Sequence, residues 1–230
     1  TSSGPLGVST VSIESGATLN LAGYSLSNDL NLKGFGKDNL GTLVNSNPSS
    51  SSAVVGPVAL GSSSAIGGSG TLIFNRAVDT NGYGLVFEGI GSFELTNASN
   101  RIGTIASNSS INSLQLTSAI DVAIGSVGAR SGLEARSALT ILSSGGISIN
   151  QNVELTSNGD ISLRSLGALL IAAGKSVVTT QGNITVVTGK ISNQGGSNAL
   201  VVGGAEKVWQ IWSTNSDPFN ADQTIGDVTG

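Results

Sequence analysis

The chain contains no cysteine, no histidine and no methionine, and only 10% of its 230 residues are charged. Cysteine and histidine supply the commonest thiol nucleophiles and general bases, so a Ser-His-Asp triad and its cysteine variants are excluded. The usual zinc sites are excluded as well, because they use the same two residues as ligands. The absence of cysteine also fits export through an oxidising compartment, in which free thiols form disulfides.

Other absences narrow the choice of partners. No apolar run reaches the roughly 18 residues that a membrane-spanning helix needs, and no N-terminal signal segment is evident, so we expect a piece of a longer protein. The net charge is −4 and the basic residues are scattered, which argues against nucleic acid and anionic membranes. The glycine-rich segments lack the spacing of phosphate-binding or calcium-binding loops. We therefore predict no cofactor, no metal and no nucleic-acid partner.

The residues that are abundant favour a folded β protein. Apolar residues make up 38% of the chain, together with 33 glycines and many serines, asparagines and threonines. A disordered chain is usually poor in branched aliphatic residues and carries a high net charge, so this composition predicts a buried core. Glycine, asparagine and serine are weak helix formers and are typical of tight corners between strands.

Short apolar–x–apolar triplets recur along the chain with a nearly constant step. In the clearest series, successive first members are separated by 21, 21, 25, 22 and 23 residues. Each triplet is typical of a short strand with two side chains pointing inward and one outward. The inward pairs of this series are Leu72/Phe74, Phe93/Leu95, Leu114/Leu116, Leu139/Ile141, Ile161/Leu163 and Ile184/Val186.

Two further series follow the same period, which gives about three strands in each repeat. The second series has the pairs Leu85/Phe87, Val122/Ile124, Ile147/Ile149 and Leu169/Ile171, and its last two steps are 25 and 22 residues. The third series is weaker and consists of Val153/Leu155 and Val177/Thr179, with a step of 24 residues.

This period predicts an all-β fold, a right-handed parallel β-helix (solenoid) with about 22 residues per coil. Each strand would pair with its equivalent one coil away, about 4.8 Å along the axis. The whole chain would then form roughly ten coils and a rod about 50 Å long. A β-sandwich is the main structural alternative, and it predicts longer strands without a steady step.

The regularity of the repeat divides the chain into three segments. Residues 1–70 form less regular coils, residues 71–205 form the regular β-helix, and residues 206–230 contain an aromatic strand and an irregular tail. The tail begins at Asp217-Pro218. Both faces of the strand 208–212 are apolar, so we expect it to cap the end of the rod, where open strand edges would otherwise aggregate.

The repeats resemble those of bacterial β-helical exoproteins, which include autotransporter passengers and filamentous-haemagglutinin-like proteins. The residues that carry this resemblance lie in the stretches Val11 to Leu21 and Ile66 to Phe74. Val208 to Pro218 (VWQIWSTNSDP) is similar to a signature of the filamentous-haemagglutinin-like group, an aromatic strand followed by Ser-Thr and Asp-Pro. That group usually has a Gly-Arg pair before the strand, where this chain has Glu206-Lys207.

The resemblance implies a structural and adhesive role. It implies a stalk segment of a large bacterial adhesin that is secreted or held on the outer-membrane surface, with a function in adhesion, aggregation or biofilm. The parent protein would cross the outer membrane through an export barrel of its own or of a partner. The expected binding partners are receptors or glycans on host cells or neighbouring cells.

An enzymatic alternative depends on the acidic residues, because parallel β-helices also host polysaccharide lyases and hydrolases. Glu88 and Glu94 flank neighbouring strands, and two carboxylates about 5–9 Å apart suit glycoside hydrolysis. The favoured interpretation is that both are solvated charges on the outer face, since acids are mostly exposed. We therefore expect the chain not to be an enzyme and keep Glu88 and Glu94 as candidate contacts for a glycan or partner.

Other surface residues support weaker hypotheses. Trp209 and Trp212 are candidate glycan contacts of a non-catalytic binding module, although burial at the end of the rod is the favoured interpretation. Arg130, Arg136 and Glu134 predict a salt-bridged surface cluster. An ice-binding face would need a uniform outward column of threonine. The residues between the inward pairs are mixed instead: Ile73, Glu94, Gln115, Thr140, Ser162 and Thr185.

Overall fold

Strands of two to eleven residues make up almost all of the regular structure in a computed structural model of the chain, which describes residues 6–7 and 9–216. Glycine, serine and asparagine lie at many of the corners between strands, because they accept the backbone angles of tight corners. Two 3-10 turns are also present, Lys37–Asn39 and Gly196–Asn198.

The strands are numbered in chain order: β1 (Val11–Ile13), β2 (Leu19–Asn20), β3 (Leu30–Gly34), β4 (Leu43–Asn45), β5 (Ser51–Val54), β6 (Val58–Gly68), β7 (Thr71–Phe74), β8 (Val78–Asp79), β9 (Gly84–Gly89), β10 (Ser92–Leu95), β11 (Thr104–Ser107), β12 (Ile111–Ser118), β13 (Val122–Ile124), β14 (Ser126–Val127), β15 (Arg130–Ser131), β16 (Leu133–Ser143), β17 (Ile147–Ile149), β18 (Val153–Leu155), β19 (Ile161–Ser165), β20 (Ala168–Ile171), β21 (Val177–Thr179), β22 (Ile184–Thr188), β23 (Lys190–Asn193), β24 (Leu200–Val202) and β25 (Trp209–Ser213).

The strands form a parallel β-solenoid. Twelve strands belong to a first sheet, whose main path is β1-β3-β6-β9-β11-β13-β17-β20-β23, and eleven belong to a second sheet. Successive strands of the first path come from successive circuits of the chain, which gives about nine coils. The predicted fold is therefore confirmed. A β-sandwich is excluded because the pairs within both sheets are parallel, and the antiparallel pair β14–β15 stands apart from them.

The clearest predicted series stacks in register through the second sheet. The first members of its pairs lie one above the next, and Trp209 of β25 ends the column. In order they are Leu72, Phe93, Leu114, Leu139, Ile161 and Ile184. These six side chains are fully buried, so the repeat identified from the sequence is the core column of the solenoid.

The second predicted series is displaced at one point. Leu85 pairs with Ile105 of β11, and Ile105 pairs with Ile124, so Leu85 does not share a level with Val122. The sequence pattern missed β11 because Ser107, and not an aliphatic residue, follows Ile105 at the next inward position. From Val122 onward the series is in register as predicted.

One continuous apolar core runs along the axis, from Ile13 in the first coils to Leu200 near the C-terminal end. Phe87 and Phe93 widen it in the middle, with ring centroids 5.1 Å apart and the ring planes tilted by 53°. Because each coil contacts only its neighbours, the stability of the rod is approximately a sum of stacked interfaces.

Polar side chains fill the corners of the interior. A column of inward hydroxyl groups follows the aliphatic columns of the second sheet, formed by Ser118, Ser143, Ser165, Thr188 and Ser213. The Ser165 and Thr188 hydroxyls are 2.8 Å apart, and the Thr188 hydroxyl also lies within hydrogen-bond distance of the Gly167 and Lys190 carbonyls, to which it donates its single hydrogen. In the part of the chain that the structure describes, no buried side-chain nitrogen or oxygen lacks a hydrogen-bond partner.

The aromatic strand β25 is the last strand of the second sheet and pairs in register with β22. It lies at the end of the described rod, where the sequence predicts a cap. The division at residues 70 and 205 stays a prediction. Residues 1–5, Val8 and the tail from Asp217-Pro218 to Gly230 lie outside the described residues.

Candidate binding surfaces

Glu88 and Arg130 form a nearly buried ion pair on the outer face of the first sheet. The Arg130 Nε lies 2.9 Å from the Glu88 Oε1, and only 3% of the Glu88 side chain and 10% of the Arg130 side chain are exposed. The Arg130 guanidinium also lies 4.6 Å from the centre of the Phe35 ring and donates to the Asn39 carbonyl. The interpretation of Glu88 as a solvated charge is therefore wrong.

The hairpin β14–β15 buries this pair. Its Val127 packs on outward side chains of three successive strands, Ala65, Val86 and Ala106, and Phe35 completes the cluster. Apolar residues at outward positions are the sequence signal for such a cover. It was missed because outward positions were followed only in the clearest series, which belongs to the second sheet. Arg130 forms its ion pair with Glu88 and not with Glu134 of the predicted cluster, although Arg130 and Glu134 line the same groove. Among the described residues, no ion pair joins Arg136 to Glu134.

Glu94 lies on the second sheet, between Ile73 and Gln115 in the outward column, and is partly exposed. Glu88 lies on the first sheet. Because Glu88 is held by Arg130, the two glutamates do not form a free carboxylate pair. The structure thus separates the residues on which the enzymatic alternative depended.

A different pair of carboxylates meets beside the hairpin. Glu134 of β16 lies directly opposite Glu154 of β18, so their Cα atoms are about 4.8 Å apart. Both side chains line a groove of about 330 Å³ together with Arg130, Asn108 and Asn152. Sequence reasoning did not consider Glu154, because the pairing of β16 with two different strands was not evident from the repeat.

The two tryptophans point in opposite directions. Trp209 packs against the apolar core above Ile184. Trp212, three residues further along β25, faces outward, and 60% of it is exposed. Trp209 is therefore partly buried, in agreement with the expectation, whereas the expectation of burial is wrong for Trp212.

Trp212 belongs to the outer face of the second sheet at its C-terminal end. It ends an outward column that runs through Val187 and Arg164 to Leu142. A parallel outward column lies beside it, and at these four levels it contains only hydroxyl and amide side chains. We call these eight residues the Trp212 face: Leu142, Arg164, Val187, Trp212, Thr140, Ser162, Thr185 and Gln210.

A groove of about 660 Å³ borders the Trp212 face at the corner where these strands end. It is lined by the exposed Leu166, by Thr214 and by Lys190 at the start of β23. Neither Lys190 nor the exposed Arg164 forms an ion pair within the described residues. Sequence reasoning placed no function on these cations, because they are far apart along the chain.

Within residues 6–7 and 9–216, no three acidic side chains gather as ligands of a metal ion, and no helix has the length and apolar character needed to cross a bilayer. Comparison of the chain with protein-family models, with curated proteins and with solved structures gives no match.

Proposed function

We propose that the chain is a stiff, adhesive stalk segment of a large bacterial exoprotein. This exoprotein is secreted or held on the outer-membrane surface. The segment holds other parts of that protein at a distance and binds receptors or glycans on host or neighbouring cells along its flank. The parent protein reaches this location through an outer-membrane export barrel.

The observation that carries this proposal is the single apolar core that continues through about nine stacked coils. Such a rod resists bending because every coil is held by parallel strand pairs to the coils on both sides. It also repeats similar outward positions at each level. Weak contacts at many levels add to a strong attachment without a deep pocket.

Attachment of coated beads tests the adhesive role. Beads carrying the whole 230-residue chain are expected to attach to epithelial cells or to bacterial cells more than albumin-coated beads do. The stalk role is tested by placing the chain between an outer-membrane barrel and an epitope and measuring how far the epitope lies from the membrane. Attachment equal to that of albumin, with no outward displacement of the epitope, would refute the proposal.

The groove beside the hairpin favours a second candidate, a polysaccharide lyase or hydrolase. Glu134 and Glu154 supply two neighbouring carboxylates, and Arg130 supplies a basic group. Against it, Arg130 is already paired with Glu88. Turnover of pectin or alginate, lost in Glu154→Gln and kept in Glu94→Gln, would support this candidate, and no turnover with either polymer would reject it.

A further inference from the structure

The Trp212 face carries positive charge on an otherwise acidic protein. The chain has a net charge of −4, yet Arg164 on this face and Lys190 in the adjoining groove have no acidic partner in the described part of the chain. The nearest acid of the same outward columns is Glu94, which is three levels before Ser162. This surface therefore favours an anionic partner by charge complementarity.

Aromatic and cationic side chains are at fixed spacing on this face. Trp212 and Arg164 occupy the same outward column with Val187 between them, so their Cα atoms lie about 10 Å apart along the axis. The exposed Trp212 ring offers a flat apolar surface of the kind on which the carbon–hydrogen face of a sugar ring stacks. The planar guanidinium of Arg164 matches the two oxygens of a carboxylate.

The neighbouring column completes a surface suited to carbohydrate. Ser162, Thr185 and Gln210 present hydroxyl and amide groups that can exchange hydrogen bonds with sugar hydroxyls. The columns of the face lie along the rod axis, so it fits an extended chain better than a compact ligand. Dense runs of lysine and arginine, which are typical of binding sites for heavily sulfated glycans, are absent from the sequence.

We infer that the Trp212 face binds an acidic polysaccharide whose charge comes from uronate carboxylates. The polymer lies along the axis of the rod, with one sugar stacked on Trp212 and a carboxylate bound by Arg164, while Lys190 binds a further carboxylate from the adjoining groove. This inference deepens the proposed adhesive function and rests on it, since it names the class of glycan that the stalk holds.

Titration of the whole chain with polygalacturonate oligomers tests the inference, with calorimetry and tryptophan fluorescence as readouts. We expect binding that weakens as salt is raised, because charge attraction contributes to it. Trp212→Ala and Arg164→Gln are each expected to weaken binding by about tenfold or more, since exposed aromatic and arginine side chains dominate such interfaces. Trp212→Phe keeps an aromatic ring and is expected to lose less.

Matched controls separate the face from general effects. Arg136→Gln removes the same charge from another exposed position, and Tyr24→Ala removes an exposed aromatic side chain from a distant coil. Both are expected to leave binding unchanged. Circular dichroism and thermal unfolding establish that every variant is folded, so that a loss of binding is not a loss of structure.

The outcomes distinguish a failure of the uronate-binding inference from a failure of the proposed adhesive function. Equal or tighter binding of a heparin oligosaccharide, or of neutral dextran, would overturn the choice of a uronate polymer. If polygalacturonate does not bind while coated beads still attach to cells, the inference fails and the adhesive function stands. If neither the oligomers nor the cells are bound, both fail.

Discussion

At the scale of single residues, the Glu88–Arg130 pair shows how the outer face of the rod is covered. The two charges are held 2.9 Å apart and are almost completely removed from solvent. A buried ion pair is weak evidence for stability when it is compared with apolar residues of similar size, but removal of one partner leaves a charge without compensation. The main consequence of the Glu88–Arg130 pair is that it holds the hairpin β14–β15 on the first sheet.

Arg130→Met is expected to lower the free energy of unfolding by about 3 kcal/mol, because Glu88 is then buried without a counter-charge. The double variant Glu88→Leu with Arg130→Met is expected to recover most of this loss. Chemical denaturation followed by circular dichroism measures both. A single variant as stable as the original chain would mean that water reaches Glu88 in spite of the hairpin.

The inward hydroxyl column is the second feature at this scale. The Thr188 hydroxyl donates its hydrogen toward the Gly167 and Lys190 carbonyls and lies 2.8 Å from the Ser165 hydroxyl, so Thr188→Val removes the hydrogen bonds of a buried residue. We expect a loss of about 1–3 kcal/mol in the free energy of unfolding. Thr185→Val, on the outward side of the same strand, is the matched control and is expected to change stability little. Equal effects at the two positions would contradict the assigned orientation of β22.

At the scale of the elements, the corners between strands restrict the choice of side chain as strongly as the strands do. A side chain added at Gly182 would collide with the Gly159 carbonyl of the preceding coil, and one added at Gly159 would collide with the Ser137 carbonyl. The backbone angle φ of neither glycine is positive, so the requirement is for close approach of the coils and not for an unusual backbone conformation.

Gly182→Ala is therefore expected to destabilise the protein by about 2 kcal/mol, because the coils must move apart to accept the methyl group. A Cβ added at Gly103 would meet no other atom within 4 Å, and its φ is not positive, so Gly103→Ala is expected to be neutral or slightly stabilising. Thermal unfolding of the two variants gives the comparison. Similar midpoints for both would show that the corner at Gly182 relaxes freely.

At the scale of the whole molecule, the solenoid is a stack in which one coil is exchangeable for the next. Deletion of residues 162–184 joins Ile161 to Thr185. Thr185 is the residue one coil later that corresponds to Ser162, so it takes the place of Ser162 after Ile161. In the original chain Ile147 and Ile191 both pair with Leu169, which the deletion removes, so the two isoleucines would then pair directly. We expect this shortened chain to fold, because its aliphatic columns stay in register.

Deletion of residues 162–172 is the matched control, since it removes part of a coil and turns inward residues away from the core. Far-ultraviolet circular dichroism and thermal unfolding are expected to show a cooperative β structure for the first deletion and none for the second. Loss of structure in both would mean that the coil between Ile161 and Ile184 is needed for more than its place in the stack.

The sequence by itself determined the architecture and most of the inward surface. Aliphatic residues two apart, repeated once per coil, can be buried only if the coils stack, so Leu114, Leu139 and Ile161 were placed correctly from their spacing. The apolar character of both faces of the strand 208–212 predicted its place at the end of the rod, and it is the last strand of the described part. Spacing misplaced Leu85 relative to Val122, because a polar inward residue at Ser107 hid one strand.

Only the tertiary structure decided the outer surface. Outward residues meet no common requirement for burial, so their chemistry does not repeat and their neighbours depend on the register and length of each coil. The contact between the hairpin and Glu88 joins residues 42 positions apart in the chain. Arg164 and Trp212 are brought close by two successive strand pairings, from Arg164 to Val187 and from Val187 to Trp212. The core is encoded by a local period, whereas the binding surfaces arise from the way the coils stack.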